Sequence, residues 1–413
     1  MCHVGHQHPK VVKAVQDQVG TLNTNSRYLH PNAALLAKRL SDLLPDPLSK
    51  VYFCNSGSEA NDLALRLARA YSKSKNVIVV DNAYHGHTLA VLDVSPYKFD
   101  HSKEFELIAH QKGNASMYTP GEHIWKVPCP DTYRGLHRGE DAGEKYADYV
   151  KEACRVYREE RKQNVGAFII EGGMSIAGVI LPPPKYLEIC IKHVRSAGGL
   201  YIADEVQTGF GRLGSHYWAF QHNNGGGQSV VPDIVTVGKP FGNGMPLAAV
   251  ITTKEVAESF QAMGVELFNT FGGNPVSAAA GLEVLNVIES EALDHNAVVV
   301  GGYLKDEFEK LKHKLDIIGD IRGSGLFLGI ELVRDHFTLE PATNETSVLC
   351  TTLKEKYRIL TSIDGPHNNV LVLKPPMVFS KENVDELISC FESAVTNDLC
   401  DVDCDQAPSK TPT

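Results

Sequence analysis

Short apolar runs rich in β-branched residues recur along the first two-thirds of the chain. Those at 51–54, 77–81, 167–171, 199–203, 234–237 and 248–252 carry almost no charge, which is how a strand buried on both faces of a parallel sheet reads. Between them, segments near 59–73, 144–163 and 184–197 repeat apolar residues at helical spacing, as in Leu63, Leu67, Ala68 and Tyr71, and predict helices. Strands alternating with helices predict an α/β fold, a mostly parallel sheet with helices on both faces. From about Ser277 the pattern changes. Two long amphipathic helices near 277–290 and 295–314 lead into a strand in GLFLGIELV, a further helix, a strand in NVLVLKPP and a final helix from Glu382 to Val395, a smaller α+β C-terminal domain. Residues 401–413 are almost devoid of apolar side chains and read as a disordered tail. Gly225 to Gly227 read as a flexible surface loop.

Composition narrows the function classes. At 413 residues and 43% hydrophobic, the chain can bury more than one core. A formal net charge of −10 offers no basic face to nucleic acid or to a membrane surface, and no apolar run approaches the ~18 residues that span a bilayer. Small molecules are therefore the expected partners. Nine cysteines, odd in number and without CxxC spacing, predict reduced thiols in an intracellular compartment, mitochondrial or cytosolic. No presequence is visible in the chain.

The candidate chemistry lies at the predicted strand ends. YIADEVQTGFGR places Asp204 just beyond one strand, and PDIVTVGKPFGNGMPLAAV places Lys239 just beyond another; in an open α/β sheet that edge is where ligands bind. A lysine amine there can form a Schiff base with an aldehyde cofactor, and a carboxylate can hold a pyridine nitrogen protonated. Taken singly, an Asp ending a strand is more often a turn former, and a lysine beyond one is usually solvated. NSGSEANDLALRLARAYSK puts Ser56, Gly57 and Ser58 ahead of a helix, an anion site or simply an N-cap. Tyr84 and His85 follow the NVIVVD strand, where a tyrosine taken singly is more often a core residue than a ligand contact. His3, His6 and His8 lack a carboxylate or cysteine at ligand spacing, so no metal site is expected.

Taken together, ADEVQTGFGRLG and VGKPFGNGMP resemble the signature of the class-III pyridoxal-phosphate-dependent aminotransferases of fold type I, and the likeness extends over nearly the whole chain. The resemblance implies pyridoxal 5'-phosphate as cofactor, with Lys239 and Asp204 catalytic. It also implies a phosphate cup at Ser56, Gly57 and Ser58, a ring-stacking Tyr84 with His85 beside it, and Glu171 and Gln207 as further cofactor contacts. Thr270 in FNTFGGNP matches a threonine that reaches the cofactor phosphate of a neighbouring subunit, which implies a homodimer with shared active sites, with pairing into tetramers left open. The expected division is a large cofactor-binding domain over 33–276, a small domain over 277–400 and, at 1–32, an incomplete N-terminal segment, because the family normally carries several dozen residues ahead of the GHxHP loop.

Departures from the family pattern bear on the substrate. Val372 stands where an arginine grips the substrate carboxylate in many members, Ile176 where a glutamate gates that arginine, and His87 where others have a second arginine. DGPHNNVLVLKPPM and CHVGHQHPKVV resemble the branch near alanine/glyoxylate aminotransferase 2 that contains the phospho-lyases for ethanolamine phosphate and 5-phosphohydroxylysine. Such a lyase is the expected activity, with Arg27 and Lys374 as candidate phosphate contacts. The alternatives are a transaminase acting with a keto acid, or a catalytically impaired binding protein of the same fold.

Overall fold

The computed structural model describes residues 2–24, 28–100, 121–222, 230–264 and 266–399. Its centre is a seven-stranded sheet in the order β1-β7-β6-β5-β4-β2-β3. The strands are β1 (Lys50–Cys54), β2 (Val77–Val80), β3 (Ile124–Val127), β4 (Ala167–Glu171), β5 (Leu200–Asp204), β6 (Ile234–Val237) and β7 (Ala248–Thr252). Only β7 runs against its neighbours. All residues of β2, β4, β5, β6 and β7 are buried, as the near-continuous apolar runs predict.

Two-residue alternation sorts these strands onto two cores. Ile78, Phe168, Tyr201 and Val235 face one core with the helices Ala142–Arg155 and Tyr186–Ser196. Val77, Ile169, Ile202, Ile234 and Val250 face the other, against Ala60, Leu63, Ala64 and Leu67 of the helix Gly57–Ser72. Asp204 and Glu171 share the parity of Ile202 and Ile169, so both end their strands on the side that Gly57–Ser72 covers. That parity places the site.

A second, antiparallel sheet is built from β8 (Ile318–Ser324), β9 (Phe327–Asp335), β10 (Glu340–Pro341), β11 (Ser362–Asp364) and β12 (Val370–Leu373), flanked by the helices Leu293–Lys312, Thr343–Glu355 and Lys381–Ser393. Three features differ from expectation. β3 and β8 escape a reading based on apolar runs because they carry Lys126 and, in β8, Asp320 and Arg322. The helix expected over 144–163 leaves α geometry at Arg155 and continues as one π-helical turn, Val156–Glu160. The helix Pro275–Ser290 is not amphipathic, since ten of its sixteen residues are buried; it lies against the helices Pro9–Val19, Pro31–Asp42 and Leu293–Lys312, which leave it little open face. The loop expected at Gly225 to Gly227 and the tail expected at 401–413 lie outside the described residues. Among the described residues, no helix is long and apolar enough to cross a membrane.

Buried ion pairs join the second sheet to the loops of the first. Glu331 on β9 accepts from Arg134 Nε at 2.6 Å and from Arg322 Nη1 at 2.6 Å. Arg322 also donates to the Gly178 carbonyl at 2.7 Å, and Arg134 to the Leu339 carbonyl. Burial opposes the Glu331 charge, yet Arg322 and Arg134 outweigh it and hold the carboxyl below its ordinary value. Removing that carboxylate would leave Arg134 without a carboxylate partner among the described residues and Arg322 with Asp320 alone. Glu331→Ala should lower unfolding stability by about 3–5 kcal/mol, measured by urea denaturation near neutral pH. Because the folded pKa is depressed, the stabilisation from the pairing is present above the ordinary carboxylate range and disappears as pH falls through the lowered value.

Candidate active site

At the carboxyl ends of β4, β5 and β6, one row of residues crosses three strands. Glu171 is the register partner of Asp204, and Asp204 of Thr236. Asp204 is buried, and a buried carboxylate needs donors. It has three: Asn61 Nδ2 at 2.8 Å and His85 Nδ1 at 2.7 Å on Oδ2, and the Val206 amide at 3.0 Å on Oδ1. Asn61 projects from the helix Gly57–Ser72 towards the strand ends. Its amide nitrogen also donates to the His85 carbonyl, and its oxygen accepts from Thr236 Oγ1 at 2.7 Å. With both ends of the Asn61 amide occupied, its orientation is fixed, and with it that of Asp204.

The start of the same helix forms the opposite wall. Ser56 caps it, its hydroxyl accepting from the Glu59 amide at 3.2 Å. The Ala60 amide is satisfied by the Ser56 carbonyl. That leaves the amides of Gly57 and Ser58, the first two of the helix, without a hydrogen-bond partner among the described residues, as helix geometry requires. Gly57 is needed for close approach: a Cβ there would lie 2.5 Å from Val206 Cγ1. Ser58 Oγ accepts from the His87 amide at 3.0 Å, pinning the chain beyond Tyr84 to the helix end.

These elements enclose a cavity of about 340 Å3 lined by Asn55, Ser56, Gly57, Ser58, Tyr84, His85, Gly86, Glu171, Asp204, Val206, Gln207, Gly238, Lys239, Gly244, Met245 and Leu247. Nine of the ten expected cofactor contacts are thus brought together. Thr270 is the exception. It is exposed, on a loop whose Asn269 bonds Asn55 at 2.9 Å and Glu59 at 3.1 Å, beside the cavity rather than in it. Lys239 follows β6 and its side chain is accessible. Tyr84 is half-buried and edge-on to His87, with ring centroids 5.8 Å apart.

The candidate phosphate contacts fare differently. Arg27 lies outside the described residues. Lys374 does not line this cavity; its ammonium donates to Ser175 Oγ at 2.9 Å and sits 3.9 Å from Asp364 Oδ2. Burial pushes the Lys374 ammonium below its ordinary value, Asp364 opposes that, and the nearby positive charges of Lys239 and Arg212 add to it. Val372 is buried with Val179, Leu213, Phe327 and Val370. His3 is a structural group. Its Nε2 donates to the Phe210 carbonyl at 2.9 Å and its Nδ1 accepts from Arg212 at 3.1 Å; burial and Arg212 push its pKa down to about 3.

Asn61, Asn55 and Val206 were missed by sequence reasoning. Asn61 had a readable signal, a polar side chain on a helix face otherwise made of Ala60, Leu63, Ala64 and Leu67. Val206 had none, because a valine between Glu205 and Gln207 reads as core.

Chemically, the cavity combines free amides suited to an anion, a carboxylate able to hold a protonated ring nitrogen, a tyrosine ring and a primary amine able to condense with an aldehyde. A family model described as Aminotransferase class-III matches residues 1–395, and the chain belongs to that family. It is 47% identical over 401 residues to an alanine–glyoxylate aminotransferase 2-like protein of Drosophila melanogaster, covering 96% of this chain and 77% of that one. It is 43% identical over 407 residues to the ethanolamine-phosphate phospho-lyase homolog 1 of Caenorhabditis elegans, covering 95% and 83%. Among solved structures, a phospholyase from Arthrobacter in complex with phosphoethanolamine superposes with a TM-score of 0.85 at 35% identity, covering 96% of this chain and 88% of that one. The protein is a pyridoxal-phosphate-dependent enzyme of fold type I, and its donor set fits that cofactor.

Gly86 offers a test of the cradle. Its φ is +139°, and a Cβ would lie 2.5 Å from Ser58 Oγ and 2.8 Å from Ser58 Cα. Relief requires pushing Ser58 off the helix end. Gly86→Ala should cost about 1–3 kcal/mol, so that cofactor retention, followed by absorbance during dialysis, falls roughly tenfold or more.

Proposed function

We propose that the chain is a phospho-lyase that eliminates phosphate from a small phosphorylated amine, ethanolamine phosphate or 5-phosphohydroxylysine, and that it works as a homodimer. The observation that carries the reading is the surrounding of Val372. Where many family members place a carboxylate-gripping arginine, this chain has a buried aliphatic residue packed with Val179, Leu213, Phe327 and Val370, and the gating position holds Ile176. A keto acid such as 2-oxoglutarate would find no guanidinium fork there. Lys374, two residues beyond Val372, offers instead a point charge near Lys239. The likeness to a structure solved with phosphoethanolamine supports the same substrate class.

The cofactor, when bound, supplies an aldehyde carbon for amine capture and a protonated pyridine ring that withdraws electrons. The amides of Gly57 and Ser58 with the Ser56 hydroxyl would hold its phosphate, Tyr84 would cover the ring, Gln207 would reach the phenolic oxygen and Asp204 would keep the ring nitrogen protonated. The Lys239 amine would act as the base. It takes the proton from the carbon bearing the substrate nitrogen. The C–O bond at the adjacent carbon breaks, and phosphate leaves with the bonding pair. Water then hydrolyses the released enamine to an aldehyde and ammonia, so no keto acid is consumed.

The dimer rests on the rim of the cavity. Phe268, Phe271 and Leu89 are exposed apolar side chains on the segments that flank Asn55 and Ser58. A second copy packed there would cover them and bring its own Thr270 to the neighbouring site.

Purified protein given ethanolamine phosphate or 5-phosphohydroxylysine without any keto acid should release inorganic phosphate. Amino transfer to a keto acid without phosphate release would replace this reading by the transaminase one. Lys239→Ala should lose turnover together with the absorbance band of the lysine-bound cofactor. Lys374→Ala should keep that band and lower kcat/KM for the phosphorylated amine by about 10- to 100-fold, the range for losing a hydrogen bond to a charged group.

A further inference from the structure

Glu171 and Asp204 end adjacent parallel strands as register partners, with backbones separated by the usual ~4.8 Å. Both are buried, at 5% and 4% exposure, and both line the Lys239 cavity. Two carboxylates so close in a dry site do not both ionise cheaply. Hydrogen bonding decides where the charge goes, because donors stabilise the ionised form. Asp204 accepts from three donors. Glu171 accepts from one, the Tyr84 amide at 3.0 Å on Oε1, and Oε2 has no donor among the described residues.

We propose that Glu171 holds a proton while Asp204 stays ionised, making Glu171 a positioning residue that presents a neutral O–H donor to the cavity beside Lys239. Asp204 is then the sole fixed negative charge of the pair. This division of labour between two neighbouring carboxylates follows from their unequal surroundings rather than from their chemistry.

Every group facing Glu171 bears on the balance. Burial pushes its pKa up to about 7, and Asp204 adds to the rise, while His85, the Tyr84 amide and Lys239 pull it down. Lys374 and the Cys129 thiol also lie within its electrostatic reach. Below about pH 7 the proton is held. As pH rises through that value, a second negative charge appears next to Asp204 and favours the positive form of any amine or imine nitrogen in the cavity.

The test is infrared difference spectroscopy on the cofactor-loaded protein, wild type against Glu171→Gln, with visible spectra recorded in parallel. Glutamine has the shape and neutrality of the protonated acid, so E171Q should fold and retain cofactor. The wild-type-minus-E171Q difference should show a protonated-carboxyl stretch below about pH 7 that fades above it, the contribution of Glu205, which burial also pushes up to about 7, cancelling between the two proteins. The wild-type visible spectrum should change over the same interval, and E171Q should stay in the acid-side form throughout. A carboxyl band that persists in E171Q but vanishes in Asp204→Asn would put the proton on the other partner and overturn the proposal. So would the absence of any such band, or loss of cofactor by E171Q. None of these readouts depends on which amine is turned over, so they fail or succeed separately from the lyase reading.

Discussion

The buried carboxylate of Asp204 is the constraint around which the rest of the large sheet is arranged. Taking an ionised group out of water is costly unless donors surround it, and the chain supplies them from three separate places. Asn61 comes from the helix Gly57–Ser72, His85 from the segment after β2 and Val206 from the turn just beyond Asp204 itself. Each donor is also a wall of the cavity or a neighbour of one. The helix that carries Asn61 begins at Gly57 and Ser58, whose free amides form the anion end of the site. The segment that carries His85 also carries Tyr84 and Gly86. Satisfying one charge therefore fixes the distance between the anion end, the ring-covering side chain and the base of the cavity, which is what preorganisation for a rigid cofactor requires.

Buried cations play the complementary part at the junction between the two sheets. Arg212 is fully buried with no carboxylate paired to it among the described residues, and donates to the Leu326 and Pro375 carbonyls, both at 2.9 Å, and to His3. It thereby joins the N-terminal segment, the turn between β8 and β9, and the strand-end residues that lead into and out of Lys374. The lack of a counter-charge has a consequence: its field is not cancelled locally, and Lys374 feels it. The Glu331 cluster does the same job with paired charges. One junction is held by carbonyl dipoles, the other by ion pairs.

Much of this was legible in the chain because the central sheet is buried on both faces, and its strands stand out as apolar runs. Asp204 and Lys239 could be placed at strand ends for the same reason. What stayed hidden depends on contacts distant in sequence. Among the described residues β3 pairs with only one neighbour, and it carries a lysine, so it lacks the signature of a doubly buried strand. The helix Pro275–Ser290 has an apolar face at the expected spacing, but its remaining faces are covered by helices from the first forty-two residues, a fact no local window contains. The shared row of Glu171, Asp204 and Thr236 likewise depends on register between strands. No spacing along the chain could reveal that the two carboxylates are neighbours.

On the proposed lyase reading, substrate choice follows from where charge is absent as much as from where it is present. A guanidinium at position 372 would start among Val179, Leu213, Phe327 and Val370, and Ile176 offers it no carboxylate. Removing both members of such a pair is thermodynamically easier than removing one, since a lone buried charge costs far more than a well-packed apolar contact. The charge that remains, Lys374, is already balanced by Asp364 and bonded to Ser175. A ligand that recruits it must offer more than one carboxylate's worth of negative charge to compete with Asp364. A phosphate monoester dianion meets that requirement, whereas a substrate carboxylate would only exchange one monoanion for another.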